Sequence, residues 1–253
     1  MWWAAAFLVG FVPALLGGLA GLVLGNLRWP FVLALVNGPA SLAAGTNIAV
    51  STLSAVGGTY QHVREGRFDA SLFALLGAAA MVGGLVGSFF TRLLPTPGLL
   101  WLLTGLVFYE AVQMLLRAEA DSTAPASGSR PRHYGAEVAI GFGIGMLSGT
   151  VGLLLGSLRL PAMIRWLGVD ARRAVGTNMA IGLAQGLTAT AGHLWQGQVA
   201  LVPLVVVGVA AFVGSSVGAC FTGRLPVPML KRAIGWTLLV VAAAMAWTAA
   251  RQL

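Results

Sequence analysis

Arg28 and Arg159 sit in long apolar stretches, where an isolated charge is costly and by default marks a substrate or ion site. Both lie in the same local pattern, Gly25-Asn26-Leu27-Arg28-Trp29-Pro30 and Gly156-Ser157-Leu158-Arg159-Leu160-Pro161. A guanidinium presents a planar fork of N–H donors suited to sulfonate, phosphate or carboxylate oxygens. Helix N-termini opening near Pro30 and Pro161 would add free N–H groups and positive dipole ends. Asn26 and Ser157 supply further donors at the same place. The chemistry this implies is anion binding. The competing reading is a loop arginine snorkelling to the membrane interface.

A second constellation is the tripeptide Gly45-Thr46-Asn47, matched by Gly176-Thr177-Asn178. Thr or Asn at a helix start is a good cap, but capping explains one polar residue more readily than the same tripeptide twice. Thr46, Asn47, Thr177 and Asn178 are therefore expected to line the anion cavity with the arginines. Polar positions continue downstream at Ser51, Thr52, Ser54 and Thr59, and again at Gln185, Thr188 and Thr190. His62 and His193 end these segments, and Glu110 is the acid well inside an expected span. Interface anchoring suits the histidines, with gating or proton coupling as the alternative. Glu110 either pairs with a basic residue near the cytoplasmic face or carries a coupling proton. No Ser/His/Asp grouping, catalytic carboxylate pair, phosphate-binding loop or metal-ligand spacing occurs, so neither an enzyme nor a cofactor is expected.

These residues are duplicated because the chain is. Shifted by 131 residues, Gly18–Leu99 falls on Gly149–Leu230 without a gap, with 30 of 82 positions identical, against about 12% expected by chance for such a composition. The 253 residues are 58% hydrophobic and 9% charged, with a mean hydropathy of +0.87. Segments of roughly 20 apolar residues, enough to cross a bilayer, recur along the chain. An internal repeat in such a protein points to a secondary transporter built from two halves.

The expected fold is an all-α polytopic membrane protein with two inverted repeats, each a re-entrant or broken helical hairpin plus three transmembrane helices. Repeat 1 covers 1–116, with a hairpin at 1–37 and spans about 45–60, 70–92 and 98–116. A linker follows at 117–134. Repeat 2 covers 135–253, with a hairpin at 136–168 and spans about 173–192, 200–223 and 229–250. The basic residues argue for inversion. With four spans per repeat the 15 Lys and Arg show no clear bias between sides. With a hairpin plus three spans, 11 fall on one side (Arg64, Arg67, Arg117, Arg130 and Arg132 among them) and 2 on the other, as the positive-inside rule requires. The linker is then cytoplasmic and both termini face outward. The net charge of +8 reflects this topology, not a nucleic-acid partner. Gly83, Gly84, Gly87, Gly214 and Gly218 read as ordinary helix-packing glycines.

In the order and duplication of its motifs the chain resembles the sulfite exporter TauE/SafE family, also called the toluene-sulfonate uptake permease family. That family carries, twice, glycines leading to a proline, then Gly/Ala-Thr-Ser/Asn, then His-x-x-x-Gly-x-hydrophobic-Asp. The first copy here reads Gly18, Gly21, Gly25, Pro30, Gly45-Thr46-Asn47 and His62-x-x-x-Gly66-Arg67-Phe68-Asp69. The second reads Gly149, Gly152, Gly156, Pro161, Gly176-Thr177-Asn178 and His193-x-x-x-Gly197. The family's glycine triplet is reduced to Val23-Leu24-Gly25 and Leu154-Leu155-Gly156, and arginine follows it, so the altered tip points to an altered substrate.

The resemblance implies transport of sulfite, thiosulfate or an organosulfonate across a bacterial plasma membrane. A proton or the membrane potential would drive it by alternating access, because no nucleotide motif is present. The expected partners are a small anion and the bilayer, with a homodimer left open. The alternatives are a carrier of another anion or a metal cation, and a non-transporting membrane scaffold.

Overall fold

The computed structural model describes residues 2–116, 133–221 and 227–251. They form ten helices. The first five are α1 (Trp2–Ala20), α2 (Gly25–Val36), α3 (Ala40–Arg64), α4 (Ala70–Thr91) and α5 (Thr96–Leu116). The second five are α6 (Tyr134–Val151), α7 (Gly156–Arg165), α8 (Ala171–Trp195), α9 (Leu201–Cys220) and α10 (Val227–Ala250). Moved by 131 residues, the bounds of α3 become those of α8. The α4 helix contains a π-helical turn at Phe73–Gly77.

The breaks between helices repeat as well. Backbone with positive φ occurs at Gly21 and Gly152, at Asn37 and Gly168, and at Gly66 and Gly197, three pairs each 131 apart. Gly21 and Gly152 end α1 and α6, and the short linkers after them lead into α2 and α7. L-residues with a Cβ rarely adopt this conformation, which explains why glycine recurs at five of the six places.

Helix composition sorts the elements into two layers. Four helices are long and apolar enough to cross a membrane: α4, α5, α9 and the Arg232–Ala250 part of α10. Their outer faces carry Phe89, Trp101, Val205, Phe212, Trp236 and Val240, exposed as side chains that meet lipid are. By contrast α3 and α8, 25 residues each and about 37 Å long, are rich in Thr, Asn, Ser, Gln and Gly, and they lie buried at the centre. They extend several residues beyond the spans expected at 45–60 and 173–192.

Packing is reciprocal between the two halves. Helix α1 runs along α9, with Gly214 and Gly218 against the backbone of Phe11 and Leu15. Its counterpart α6 runs along α4, with Gly83 and Gly87 against Phe142 and Met146. A Cβ at any of these glycines would run into a carbonyl, so they are packing glycines that let two backbones touch. In the centre, Gly45 at the start of α3 meets Gln198 beyond the end of α8, and Gly176 at the start of α8 meets Arg67 beyond the end of α3. The two central helices are therefore antiparallel. Thr52 and Thr190 meet between these ends, at 3.2 Å.

Candidate functional site

Both arginines are withdrawn from solvent: Arg28 is 0% exposed and Arg159 1%. Each lies in the first turn or so of a short helix, α2 or α7, that starts just after the break at Gly21 or Gly152. From there each reaches the asparagine 19 residues ahead on a central helix. Arg28 Nε donates to Asn47 Oδ1 at 3.0 Å, and Arg159 Nε donates to Asn178 Oδ1 at 2.8 Å. The site is thus built twice by the same residues.

The remaining donors differ. Arg28 Nη2 donates to Ser51 Oγ at 2.5 Å, and its Nη1 has no partner. Arg159 Nη1 donates to Gln185 Oε1 at 2.6 Å, and Nη2 to the Asn178 carbonyl at 3.2 Å. Gly182 stands where the first repeat has Ser51, and Gln185 supplies the longer reach. All these acceptors are neutral. Neither guanidinium forms an ion pair with a described carboxylate, so neither buried positive charge is paired directly.

The Gly-Thr-Asn tripeptide divides its labour. Its glycine admits the loop of the opposite repeat. Its threonine accepts a backbone N–H from that repeat: Ala200 N donates to Thr46 Oγ1 and Asp69 N to Thr177 Oγ1, both at 2.9 Å. Its asparagine receives the arginine of its own repeat. Asn47 and Asn178 also donate, to the carbonyls of Gly152 (2.8 Å) and Gly156 (3.2 Å). Thr46 and Thr177 therefore hold the two halves together, while Asn47 and Asn178 stand at the guanidiniums.

Asn26 and Ser157, at equivalent positions in the opening turns of α2 and α7, converge on Glu110 of α5. Asn26 Nδ2 donates to Glu110 Oε2 and Ser157 Oγ donates to Oε1. Glu110 is buried, and among the described residues it hydrogen-bonds to no basic one; that convergence carries no signal in the spacing of the sequence. A cavity of about 510 Å³ opens between α5, α6 and α7, lined by Tyr109, Gln113, Ile144, Ser157, Arg165 and Trp166 among others. Ser157 joins this cavity to Glu110.

The histidines lie apart from the arginines. His193 is fully buried, with Nε2 2.9 Å from the Gly149 carbonyl and Nδ1 2.7 Å from Gln198 Oε1. His62 Nδ1 lies 3.4 Å from Arg67 Nη1, and its Nε2 has no partner. Among the described residues no group of three or more His, Cys, Asp or Glu is placed to hold a metal.

Comparison with known proteins identifies the family of the chain. The family described as sulfite exporter TauE/SafE matches residues 3–245. The chain is 31% identical over 230 residues to the "Probable membrane transporter protein YdhB" of Bacillus subtilis, covering 90% of this chain and 92% of that one. It is 25% identical over 254 residues to a "Probable membrane transporter protein" of Haemophilus influenzae, covering 93% and 94%. No solved structure matches it.

Proposed function

Because the chain belongs to the sulfite exporter TauE/SafE family, and so is a multi-pass membrane transporter and not an enzyme, we propose that its cargo is a small sulfur-containing oxyanion. Sulfite, thiosulfate and organosulfonates are the substrates this reading covers. One observation carries it: Arg28 and Arg159 are buried and duplicated, and among the described residues they bond neutral oxygens. Removing a charge from water costs several kcal/mol after relaxation, and a counter-charge offsets that cost. An anion supplies the counter-charge. A metal cation would add positive charge beside two guanidiniums that have no directly paired counter-charge, which disfavours the cation alternative.

In this reading Arg28 and Arg159 bind the anion, Asn47 and Asn178 aim the guanidiniums, and Asn26, Ser157, Thr46 and Thr177 frame the cavity. The unpartnered Nη1 of Arg28 makes it the first arginine to engage an oxygen in this conformation. Alternating access would come from two inverted repeats moving against each other. The antiparallel course of α3 and α8 supports inversion: a two-fold axis in the membrane plane makes equivalent helices antiparallel, and one along the normal makes them parallel. The linker, expected on the cytoplasmic side, is outside the described residues except at its last two positions, His133 and Tyr134.

Flux of radiolabelled sulfite, thiosulfate and toluenesulfonate into proteoliposomes tests the cargo. Saturable uptake of one of them, lost in Arg28→Ala and Arg159→Ala, is the expected result. No flux of any of the three would favour the scaffold alternative. Labelling of cysteines at Ser127 and at the C-terminus from opposite faces would agree with inversion, and labelling from one face would exclude it.

A further inference from the structure

We infer that Glu110 is the proton-binding site of the transport cycle, a latch that ties the α2 and α7 openings together by two charge-assisted hydrogen bonds when ionised and loosens its hold on α7 when protonated. This rests on the anion-transport reading above and names the ion coupled to it.

The geometry is asymmetric. Asn26 and Ser157 are equivalent positions, one from each repeat, yet a single carboxyl from α5 receives both. The residue of α10 equivalent to Glu110 is Val241, so the second repeat has no such group. The carboxyl therefore bridges the two repeats at the helix openings that carry the arginines, two residues before each of them.

Hydrogen-bond polarity makes the bridge a proton sensor. Both carboxyl oxygens act as acceptors, as an ionised carboxylate requires. The Asn26 amide is fixed in orientation because its Oδ1 takes the Leu27 N–H at 3.0 Å, so Nδ2 can only donate to Oε2. A proton must then sit on Oε1, opposite Ser157. The Ser157 hydroxyl turns from donor to acceptor, and its own hydrogen is released. Ser157 lines the cavity between α5, α6 and α7, and so does Gln113, one turn beyond Glu110, whose Oε1 is buried without a partner. The cavity thus leads to the side of the carboxyl that can accept a proton.

No other described charge competes for the role. The titratable and charged groups on the surrounding elements are Arg28 on α2, Arg159 and Arg165 on α7, Tyr109 on α5, Glu137 on α6 and Arg232 on α10. None bonds Glu110, whose partners are Asn26 and Ser157. An ionised Glu110 repels an anion approaching the arginines, whereas protonation removes that charge and frees the Ser157 hydroxyl to donate to an oxyanion. Proton and anion each raise the affinity for the other by the same factor, the binding linkage that symport needs.

The test reads the latch without cargo. An Ile144→Cys reporter in a Cys220→Ser background is labelled with maleimide in nanodiscs across the acid-to-neutral range. Labelling should titrate in this parent, lose its pH dependence with Glu110→Gln, and keep it with a displaced midpoint with Glu110→Asp. Sulfite uptake driven by a pH gradient should fall at least about tenfold in Glu110→Gln, within the range of ordinary coupling energies. Labelling that does not titrate in the parent, or titrates alike with Glu110→Gln, overturns the latch. Should Glu110→Gln fail to fold, an unchanged midpoint in Glu110→Asp overturns it equally. A latch that titrates as expected in a protein with no sulfite flux would leave the proton site standing and remove the cargo.

Discussion

Asn47 Nδ2 donates to the carbonyl of Gly152 at 2.8 Å, so the asparagine that receives Arg28 is itself anchored to the helix break of the other repeat. Asn178 makes the equivalent bond within its own repeat, to Gly156 at 3.2 Å. The asparagine of the Arg28 half is thus tied across the repeats and that of the Arg159 half is tied within its own. Movement of the α6–α7 break would pull directly on the residue that aims Arg28.

Asn47→Ala removes both an acceptor for a charged donor and that cross-repeat tie. A hydrogen bond to a charged group contributes about 1.5–3 kcal/mol, so anion affinity should fall about tenfold to a hundredfold, with a lower Tm in detergent. Asn47→Asp should act differently. Its carboxylate neutralises Arg28 in place but cannot donate to the Gly152 carbonyl, so Tm still falls through the lost tie while sulfite affinity falls through the neutralised charge. Wild-type affinity in Asn47→Asp would mean that Arg28 is not the anion's ligand.

The two arginines should not respond alike to lysine. Arg159 uses Nε, Nη1 and Nη2, and an ammonium cannot reproduce a fork that fixed. Arg28 uses two of its three nitrogens and keeps Nη1 free. Arg159→Lys should therefore lower Tm more than Arg28→Lys, while both weaken sulfite binding. Paired melting curves and binding isotherms check this, and equal Tm losses would contradict it.

Much of the site was legible because the chain states it twice. The offset of 131 residues singles out Arg28 with Asn47 and Arg159 with Asn178, and those are the bonded pairs. What the offset hides is where the repeats differ. Ser51 and Gln185 receive the arginines from non-equivalent positions, since side-chain reach and not register decides them. Thr46 and Thr177 also bond backbone N–H groups 154 and 108 residues away in the other repeat, a distance no local pattern reports. Glu110 has no repeat partner, and only three-dimensional packing reveals that it joins Asn26 to Ser157. For the helices, composition identified the lipid-facing spans. The central pair came out longer than its apolar stretches because buried polar residues lower hydropathy without ending a helix.

Gly45 and Gly176 are expected to be intolerant of any side chain. A Cβ on either would collide with a backbone carbonyl, of Gln198 or Arg67, that cannot swing aside as a flexible side chain could. Overpacking of this kind costs about 1–3 kcal/mol, and Gly45→Ala and Gly176→Ala should each lower Tm accordingly. Thr46→Val and Thr177→Val should cost about 1–3 kcal/mol too, by leaving the N–H of Ala200 or Asp69 without its acceptor. The double mutant Thr46→Val/Thr177→Val should be close to additive, since the two bonds share no partner.

The histidines should separate structure from proton coupling. His193 is buried with both ring nitrogens engaged, Nε2 by the Gly149 carbonyl and Nδ1 by Gln198 Oε1. His193→Ala strips both bonds and leaves the Gly149 carbonyl buried without that donor, at a cost of about 1–3 kcal/mol, and should lower Tm. His62→Gln should be milder, because His62 Nε2 has no partner to lose and Nδ1 makes only a long contact to Arg67. Neither change alters the Glu110 bridge. In folded His62→Gln and His193→Gln protein, the midpoint of the pH profile for sulfite uptake should therefore stay where the wild type has it, even if the maximal rate drops. A midpoint that moves in either variant while Glu110→Asp leaves it fixed would transfer the coupling proton from Glu110 to a histidine.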